Sequence, residues 1–240
     1  MNTSKKNLLF LLSFLTFSNI FCLQAQRLKW QRLAPVSLME IGISGNSYKG
    51  DLNTSYDKWS AGVKLGILFN RKEKLNGGVQ FSYQSVTGQV LSLEPPAENE
   101  DGIYPNTFFK SSVISGQYAL RYNFIKKEFL HVYLSQGIGI SYYNPQDEEG
   151  EDLVNQSTTR NYTEDYRSTA FYLPTEIGAI YLFRNGYGVG IQGKFFNILT
   201  DYLDNISELG EVDGRDNILS IQLSFYAPLS YYEKRRQRRR

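Results

Sequence analysis

Hydrophobic and polar residues alternate along many segments of this chain, and Trp59–Phe69 shows the pattern most plainly. It reads Trp-Ser-Ala-Gly-Val-Lys-Leu-Gly-Ile-Leu-Phe, with apolar side chains at every odd position and mostly small or polar ones between them. Successive side chains of a β-strand point to opposite faces, so the pattern predicts a strand with one apolar face. A soluble protein turns that face inward, whereas an outer-membrane barrel turns it toward lipid. One strand alone cannot distinguish the two arrangements.

Seven further segments show the same period of two, so the chain as a whole predicts eight strands. Each is close to or longer than the ~9–11 residues that a tilted strand needs to cross a membrane. The predicted strands are residues 38–48, 58–69, 75–91, 109–124, 129–142, 169–183, 187–198 and 217–226.

The connections between these strands alternate between short and long. Short turns occupy residues 70–74, 125–128 and 184–186, and longer loops occupy 49–57, 92–107, 144–168 and 200–216. Lysine and arginine are concentrated in the short turns, and most carboxylates lie in the three longest loops. Outer-membrane barrels have short periplasmic turns, longer extracellular loops and an even strand count. The sequence therefore predicts an all-β, eight-stranded antiparallel up-and-down barrel in the outer membrane of a Gram-negative bacterium.

The N-terminus has the order of a secretory signal peptide. Lys5 and Lys6 precede an apolar run over residues 8–21, and a small residue, Ala25, follows it. We expect cleavage after Ala25, which would also remove Cys22, the one cysteine of the chain. Phe21 is bulky where a lipidation signal requires a small residue. The predicted organisation is a signal peptide at 1–25, a periplasmic segment at 26–36, the barrel at 37–228 and a basic periplasmic tail at 229–240.

Composition agrees with a barrel and disfavours a helical membrane protein. Mean hydropathy is only −0.38, yet aromatic residues make up 15% of the chain, with 18 Tyr and 15 Phe. After the N-terminal run, no segment reaches the ~18 consecutive apolar residues of a membrane helix. Aromatic side chains are enriched where a barrel meets the two membrane interfaces.

Five charged residues fall on the polar face of the predicted strands, which a barrel turns inward: Glu40, Lys64, Arg121, Glu176 and Lys194. Eight strands leave an interior that side chains fill. Because an unpaired buried charge is costly, we expect the lysines and the arginine to bridge the two glutamates. The functional alternative is a gated pore, but the small size of the barrel favours a structural network.

Three motifs could indicate chemistry, and each has a simpler structural explanation. The pattern G-x-G-x-x-G at 188–193 binds dinucleotides only between a strand and a helix, whereas here it lies within a predicted strand. His131, the single histidine, has no matching serine and carboxylate and is expected inside the barrel. The acidic run 147–152 lacks the alternating ligands of a calcium loop. We therefore expect no catalytic, cofactor-binding or metal-binding residues, and a protein that is not an enzyme.

The basic C-terminal tail is a candidate for partner docking. Behind a signal peptide it would lie in the periplasm, which argues against nucleic acid and favours an acidic protein or anionic phospholipid. A solvated tail at the interface explains it equally well. The docking candidates are Lys234, Arg235, Arg236, Arg238, Arg239 and Arg240.

Several stretches resemble small outer-membrane barrels of Bacteroidota. They are Glu-Ile-Gly-Ile-Ser-Gly at 40–45, Tyr-Lys-Gly-Asp-Leu at 48–52, and Tyr-Leu-Ser-Gln-Gly-Ile-Gly-Ile-Ser-Tyr-Tyr-Asn-Pro at 133–145. A fourth is similar to the Thr-Asp-Tyr-Leu/Ile-Asp-Asp-Val-Ser segment of the PorG-like barrels of the type IX secretion and gliding-motility apparatus. Its members here are Thr200, Asp201, Tyr202, Leu203, Asp204, Asn205 and Ser207, and it departs from the family at Asn205 and Ile206.

The resemblance implies a non-enzymatic subunit of a surface protein-secretion machine. Its partners would be outer-membrane lipid and periplasmic lipoproteins or secretion-system subunits, with which it would form a hetero-oligomer. The alternative is a stand-alone surface barrel that binds ligands or cations through its acidic extracellular loops.

Overall fold

In the computed structural model, residues 35–70, 73–89, 106–155, 166–206 and 216–231 are described, and they form a closed antiparallel barrel. Each strand pairs with its neighbours in sequence, and β1 closes the barrel against β8. The strands are β1 Pro35–Lys49, β2 Trp59–Phe69, β3 Leu75–Gln89, β4 Phe108–Lys126, β5 Leu130–Gln146, β6 Thr169–Leu182, β7 Gly188–Ile198 and β8 Asn217–Tyr231. A single 3-10 turn among the described residues, Leu153–Asn155, lies in the loop after β5.

The apolar face of the strands points outward, as the loop pattern predicts. On β2, Val63 and Leu65 are about half exposed while Lys64 is buried. On β4, the outward apolar residues run from Ile114 to Phe124. At ~3.3 Å per residue and a tilt of ~40°, that stretch spans about 25 Å, the height of the apolar band of outer-membrane barrels. The eight-stranded transmembrane barrel predicted from the sequence is therefore confirmed.

No helix among the described residues is long and apolar enough to cross a membrane.

The strands β4 and β5 are longer than predicted, with 19 and 17 residues. They continue past the apolar belt because inward and outward positions still alternate there, with apolar residues now pointing inward and polar residues outward. Phe109 and Tyr143 still point inward and are fully buried, while the outward positions become polar at Lys110 and Ser112. The barrel wall therefore rises above the membrane on its extracellular side. At the other end, Pro35 pairs with Tyr231, so the barrel also begins two residues earlier and ends three residues later than the predicted 37–228.

The short turns close the periplasmic end tightly. Between β6 and β7, Phe183 and Tyr187 are joined by a backbone hydrogen bond of 2.8 Å, and Gly186 adopts a φ of 90°. That backbone conformation is one that glycine adopts without steric cost. Before β3, Asn70 takes a φ of 53°, and its carbonyl accepts the amide of Glu73.

Two apolar clusters fill the two ends of the barrel interior. The extracellular plug consists of Tyr48, Leu52, Val86, Phe109, Val113, Tyr143, Leu153, Ala170, Tyr172, Phe196, Ile198, Leu203, Ile206 and Ile218. The periplasmic plug consists of Leu38, Leu68, Tyr133, Ile180, Leu182 and Tyr226. Four members of the extracellular plug come from loops rather than strands, so three of the long loops fold inward and close that end. Polar side chains fill the space between the plugs.

Candidate functional site

A charged layer lies between the two plugs and brings together all five charged residues that the sequence placed inside. Lys64 Nζ lies 2.7 Å from Glu40 Oε1. Glu176 pairs with Arg121 and Lys194, each at 3.2 Å. Each of the five comes from a different strand, and all five are almost completely buried. The layer therefore ties β1, β2, β4, β6 and β7 together across the interior.

Tyrosine and glutamine side chains complete the hydrogen bonding of the two glutamates. Tyr226 donates its hydroxyl to Glu40 at 2.9 Å, and Gln80 donates its amide to the other oxygen of Glu40 at 3.1 Å. Tyr133 donates to Glu176 at 2.5 Å. Strand alternation could place these residues inside, but it could not show which charge each one contacts.

Arg121 is held from two sides and retains one free nitrogen. Its guanidinium carbon lies 3.6 Å from the centre of the Tyr133 ring, a cation–π contact. Its Nη1 atom has no hydrogen-bond partner among the described residues. A cavity of about 10 Å³ lies beside it, lined by Leu68, Gly78, Gln80, Ala119, Arg121 and Ser135. That volume accommodates about one water molecule, which could accept from the free nitrogen.

The second buried polar group lies within the extracellular plug, where Tyr48 contacts two aspartates. Its hydroxyl lies 2.5 Å from Asp204 Oδ2 and 2.8 Å from Asp216 Oδ1. The remaining carboxylate oxygens accept backbone amides, Asp204 from Ile206 at 3.0 Å and Asp216 from Leu203 at 2.8 Å. We call Asp204 and Asp216 the carboxyl pair, and the Tyr48 hydroxyl bridges them. All three residues are fully buried.

The carboxyl pair favours a bound proton, and the part of the chain that the structure describes places no cation against it. Among the described residues, no lysine or arginine pairs with either aspartate. Tyr48 has one proton and cannot donate it to both carboxyl groups at once. Burial raises the pKa of Asp204 to about 7, and burial together with the charge of Asp204 raises the pKa of Asp216 well above its ordinary value. We conclude that at least one of the two carboxyl groups carries a proton and donates it within the pair.

The carboxyl pair explains where the segment similar to the PorG-like barrels lies. Leu203, Asp204 and Asn205 are fully buried, and Asn205 adopts a φ of 74°. Asp201 and Tyr202 are partly buried, and Tyr202 packs against the extracellular plug. The carbonyl of Thr200 accepts the amide of Asp216 at 3.3 Å. The segment therefore closes the barrel instead of extending into solvent; Ser207 lies outside the described residues.

The other motifs occupy structural positions. The glycine motif lies within β7, where a Cβ at Gly190 would come within 2.9 Å of the Tyr226 ring. His131 is buried in β5. In the acidic run, Asp152 accepts amides from Asn144 at 2.8 Å and Gln146 at 3.1 Å. Among the described residues, no group of three or more His, Cys, Asp or Glu side chains is placed to hold a metal ion.

Several predicted features lie outside the described residues. They are the signal peptide at 1–25, the segment 26–34, and the docking candidates Lys234, Arg235, Arg236, Arg238, Arg239 and Arg240. These remain predictions from the sequence.

The sequence did not predict that Tyr48 and Asp216 would meet Asp204 inside the barrel. The register of β1 places Tyr48 on the inward face, and Asp216 directly precedes β8. Their meeting depends on the loop before β8 folding back over the barrel, for which hydrophobic periodicity gives no signal. The stretches of resemblance at 48–52 and 200–207 contain Tyr48 and Asp204, but they do not indicate that these two residues meet.

No model of a known protein family matches this sequence, and no curated protein sequence does. Among solved structures, Neisserial surface protein A aligns with 80% of this chain and 96% of its own, with 9% identity and a TM-score of 0.51. The attachment invasion locus protein Ail of Yersinia pestis, in complex with the heparin analogue sucrose octasulfate, covers 80% and 98%, with 14% identity and a TM-score of 0.45. The outer membrane enzyme PagL covers 79% and 99%, with 13% identity and a TM-score of 0.35.

These likenesses concern the fold, and a shared fold assigns no activity. The outward apolar belt, the closed eight-stranded sheet and the similarity to Neisserial surface protein A agree with one another. The protein is an eight-stranded β-barrel of the outer membrane of a Gram-negative bacterium.

Proposed function

We propose that this barrel is a non-enzymatic subunit of a surface protein-secretion machine of the type IX kind and anchors periplasmic partners of that machine. The observation that carries the proposal is the filled interior. Two apolar plugs enclose a layer of paired charges. The cavity beside Arg121 has a volume of about 10 Å³. Within the described part of the chain, this packing fills the lumen with side chains, which argues against a path for a solute or a substrate site there. Function is then left to the outer surfaces.

The periplasmic end supplies a surface suited to an acidic partner. Lys74, Lys127 and Arg184 are exposed at the three short turns, with Glu73 and Glu128 beside them. Arg71 and Lys72 belong to the first short turn of the sequence, and the basic tail is predicted from the sequence to be periplasmic. Like charges gathered on one surface attract and orient an oppositely charged partner.

The segment at 200–207 supports the proposal through architecture. It resembles the PorG-like barrels, and its described part, residues 200–206, closes the extracellular end through the carboxyl pair. We infer from this that the segment serves to seal the barrel in this protein. The docking function then belongs to the opposite, periplasmic end.

The test is purification of the native complex from membranes. Full-length protein should bring acidic periplasmic partners with it, identified by mass spectrometry. The triple variant Lys74→Glu, Lys127→Glu, Arg184→Glu should recover at least tenfold less of them, and deletion of residues 234–240 should also weaken recovery. Lys110→Glu, on the extracellular side, is the matched control and should change nothing. Isolation of the full-length protein without any partner would reject the proposal, whereas an effect of the triple variant alone would reject only the tail.

A stand-alone surface barrel is the second candidate, and the extracellular extension of β4 and β5 favours it. Those strands carry the acidic turn 147–151 above the membrane, where Asp147 accepts the amide of Glu151 at 2.8 Å. Calorimetric titration with Ca²⁺ tests it. Saturable binding that Glu148→Gln and Glu149→Gln abolish, in a protein purified without partners, would favour this function over the first.

A further inference from the structure

One polar pair interrupts the lipid-facing belt. On each described strand we considered the outward positions between the first and last large apolar residue. Among them, Gln136 on β5 and Thr175 on β6 are polar and non-aromatic; on β4, Lys110 and Ser112 are also polar, but they lie toward the extracellular end, between Phe108 and Ile114. Gln136 is the fourth of seven outward positions from Leu130 to Tyr142, so it lies near the middle of the belt. A polar group at that depth is expensive unless another group satisfies it.

The two side chains satisfy each other only in part. Thr175 donates its hydroxyl to Gln136 Oε1 at 2.7 Å. An amide oxygen has two lone pairs and an amide nitrogen has two protons. One lone pair of Gln136 is therefore used, while its second lone pair and its amide protons face outward without a hydrogen bond among the described residues. The exposed remainder of Gln136 is both a donor and an acceptor.

The sheet is also interrupted beside this pair. The β5–β6 ladder pairs Gln136 with Thr175 and Gly139 with Tyr172, but not the two positions between them. Pro174 lies in that gap and has no amide proton to donate to the ladder. Most barrel strands keep proline out of their interior. This wall therefore differs from an ordinary lipid-facing surface both in its polar pair and in the adjacent gap in its hydrogen bonding.

We infer that the β5–β6 wall is the contact surface of a homodimer, with a second copy of this chain as the occupant. A two-fold axis along the membrane normal keeps equal residues at equal depth, so Gln136 of each copy meets its equivalent. Each amide can then donate to the free lone pair of the other, which closes a ring of two hydrogen bonds. Ile138 and Ile177, both more than half exposed, supply the apolar surround.

A second copy fits this surface better than a chemically different partner does. The unsatisfied group is self-complementary, and the surround carries no charge that would require an opposite charge. In lipid, association depends on packing and on hydrogen bonds that lipid cannot make. Gln136 has hydrogen-bonding groups that lipid leaves unsatisfied, and it lies near the middle of the belt, where a second copy can contact it.

The test is cross-linking in native outer membranes. In a Cys22→Ser background, Ile138→Cys should form a dimer with a short bismaleimide. Ile43→Cys is the matched control, since Ile43 is similarly exposed but lies on β1, opposite β5 in the closed barrel. We expect at least tenfold more cross-linked dimer at position 138 than at position 43. Adding Gln136→Leu to Ile138→Cys should reduce the dimer about tenfold.

The Gln136→Leu variant removes the larger polar side chain of the pair and leaves Thr175, so the barrel should still fold, which the heat-dependent shift in gel mobility checks. Equal cross-linking at positions 138 and 43 would overturn the inference. So would an unchanged yield with Gln136→Leu, or a product whose mass shows a different protein cross-linked at position 138. None of these outcomes depends on whether periplasmic partners co-purify.

Discussion

The barrel buries carboxyl groups in two places and neutralises them in different ways. In the charged layer, Glu40 and Glu176 lie against Lys64, Arg121 and Lys194 at 2.7–3.2 Å. In the carboxyl pair, the described residues supply no cation. The two aspartates contact one tyrosine hydroxyl and two backbone amides.

The difference follows from position. The charged layer joins five strands in the middle of the barrel, where fixed ion pairs connect walls that are far apart in sequence. The carboxyl pair joins a loop to the barrel rim, and a shared proton holds that loop. We therefore expect the charged layer to determine the stability of the whole barrel and the carboxyl pair to determine the closure of one end.

The largest effect is expected when the charged layer loses an anion. Glu176→Gln leaves Lys194 and Arg121 without their carboxylate partner. Breaking a buried ion pair on one side costs about 3–5 kcal/mol. Urea unfolding of the barrel in lipid vesicles measures the loss of free energy of unfolding.

Glu148→Gln is the control for that experiment. It makes the same chemical change at an exposed residue of the acidic turn and should alter stability by less than about 0.5 kcal/mol. If Glu176→Gln costs no more than Glu148→Gln, the layer contributes nothing to the stability of the barrel, and the distinction between the two regions fails.

The carboxyl pair should make loop closure depend on pH. Each aspartate has a raised pKa, so the closed state binds protons that an open, hydrated loop releases. Its stabilising contribution is complete below about pH 4 and is lost as the pH rises toward about 7 for Asp204. For each such proton, the equilibrium constant for loop opening should increase about tenfold per pH unit within that window. Hydrogen exchange of residues 199–206, corrected for intrinsic rates, measures it.

Asp216→Asn sharpens this experiment. The amide keeps an acceptor oxygen for the Leu203 amide and supplies protons of its own, so the variant should stay closed at pH 8 and show a much shallower dependence on pH. The charged layer contains no proton shared in this way, and segments of β6 and β7 around it serve as the internal reference. An unchanged slope in Asp216→Asn would assign the pH dependence to other groups.

The sequence was sufficient for the barrel and for the members of the charged layer, but it was insufficient for the carboxyl pair. Period-two alternation assigns each strand residue to one face, so Glu40, Lys64 and Glu176 were predicted inside from spacing alone. Their individual contacts depend on strand stagger and side-chain reach, which spacing does not contain. Asp204 and Asp216 lie in a loop, where no period operates. Only the folded loop brings them to Tyr48.

A smaller effect is expected from crowding the carboxyl pair. A Cβ at Gly50 would overlap the Tyr48 hydroxyl and the Asp216 carboxyl. Gly50→Ala should therefore destabilise the closed end by about 1–3 kcal/mol, the usual cost of overpacking. Hydrogen exchange at 199–206 should rise while exchange in β6 stays unchanged. Gly45→Ala is the control, because a Cβ there meets only the Trp59 ring at 3.4 Å. Equal hydrogen exchange of residues 199–206 in Gly50→Ala and Gly45→Ala would show that the carboxyl pair can shift without opening the loop.

The smallest effect is expected from removing one hydroxyl of the charged layer. Tyr226→Phe deletes a 2.9 Å hydrogen bond to Glu40, but Lys64 and Gln80 still contact that carboxylate. The loss should be about 1 kcal/mol and should be the same at pH 5 and pH 8. Tyr48→Phe deletes the hydroxyl on which the carboxyl pair depends, so its effect on exchange at 199–206 should be larger and should change with pH. Urea unfolding and hydrogen exchange of both variants at both pH values compare the two regions directly. Equal responses would mean that a shared proton and a fixed cation stabilise buried carboxylates in this barrel to the same extent.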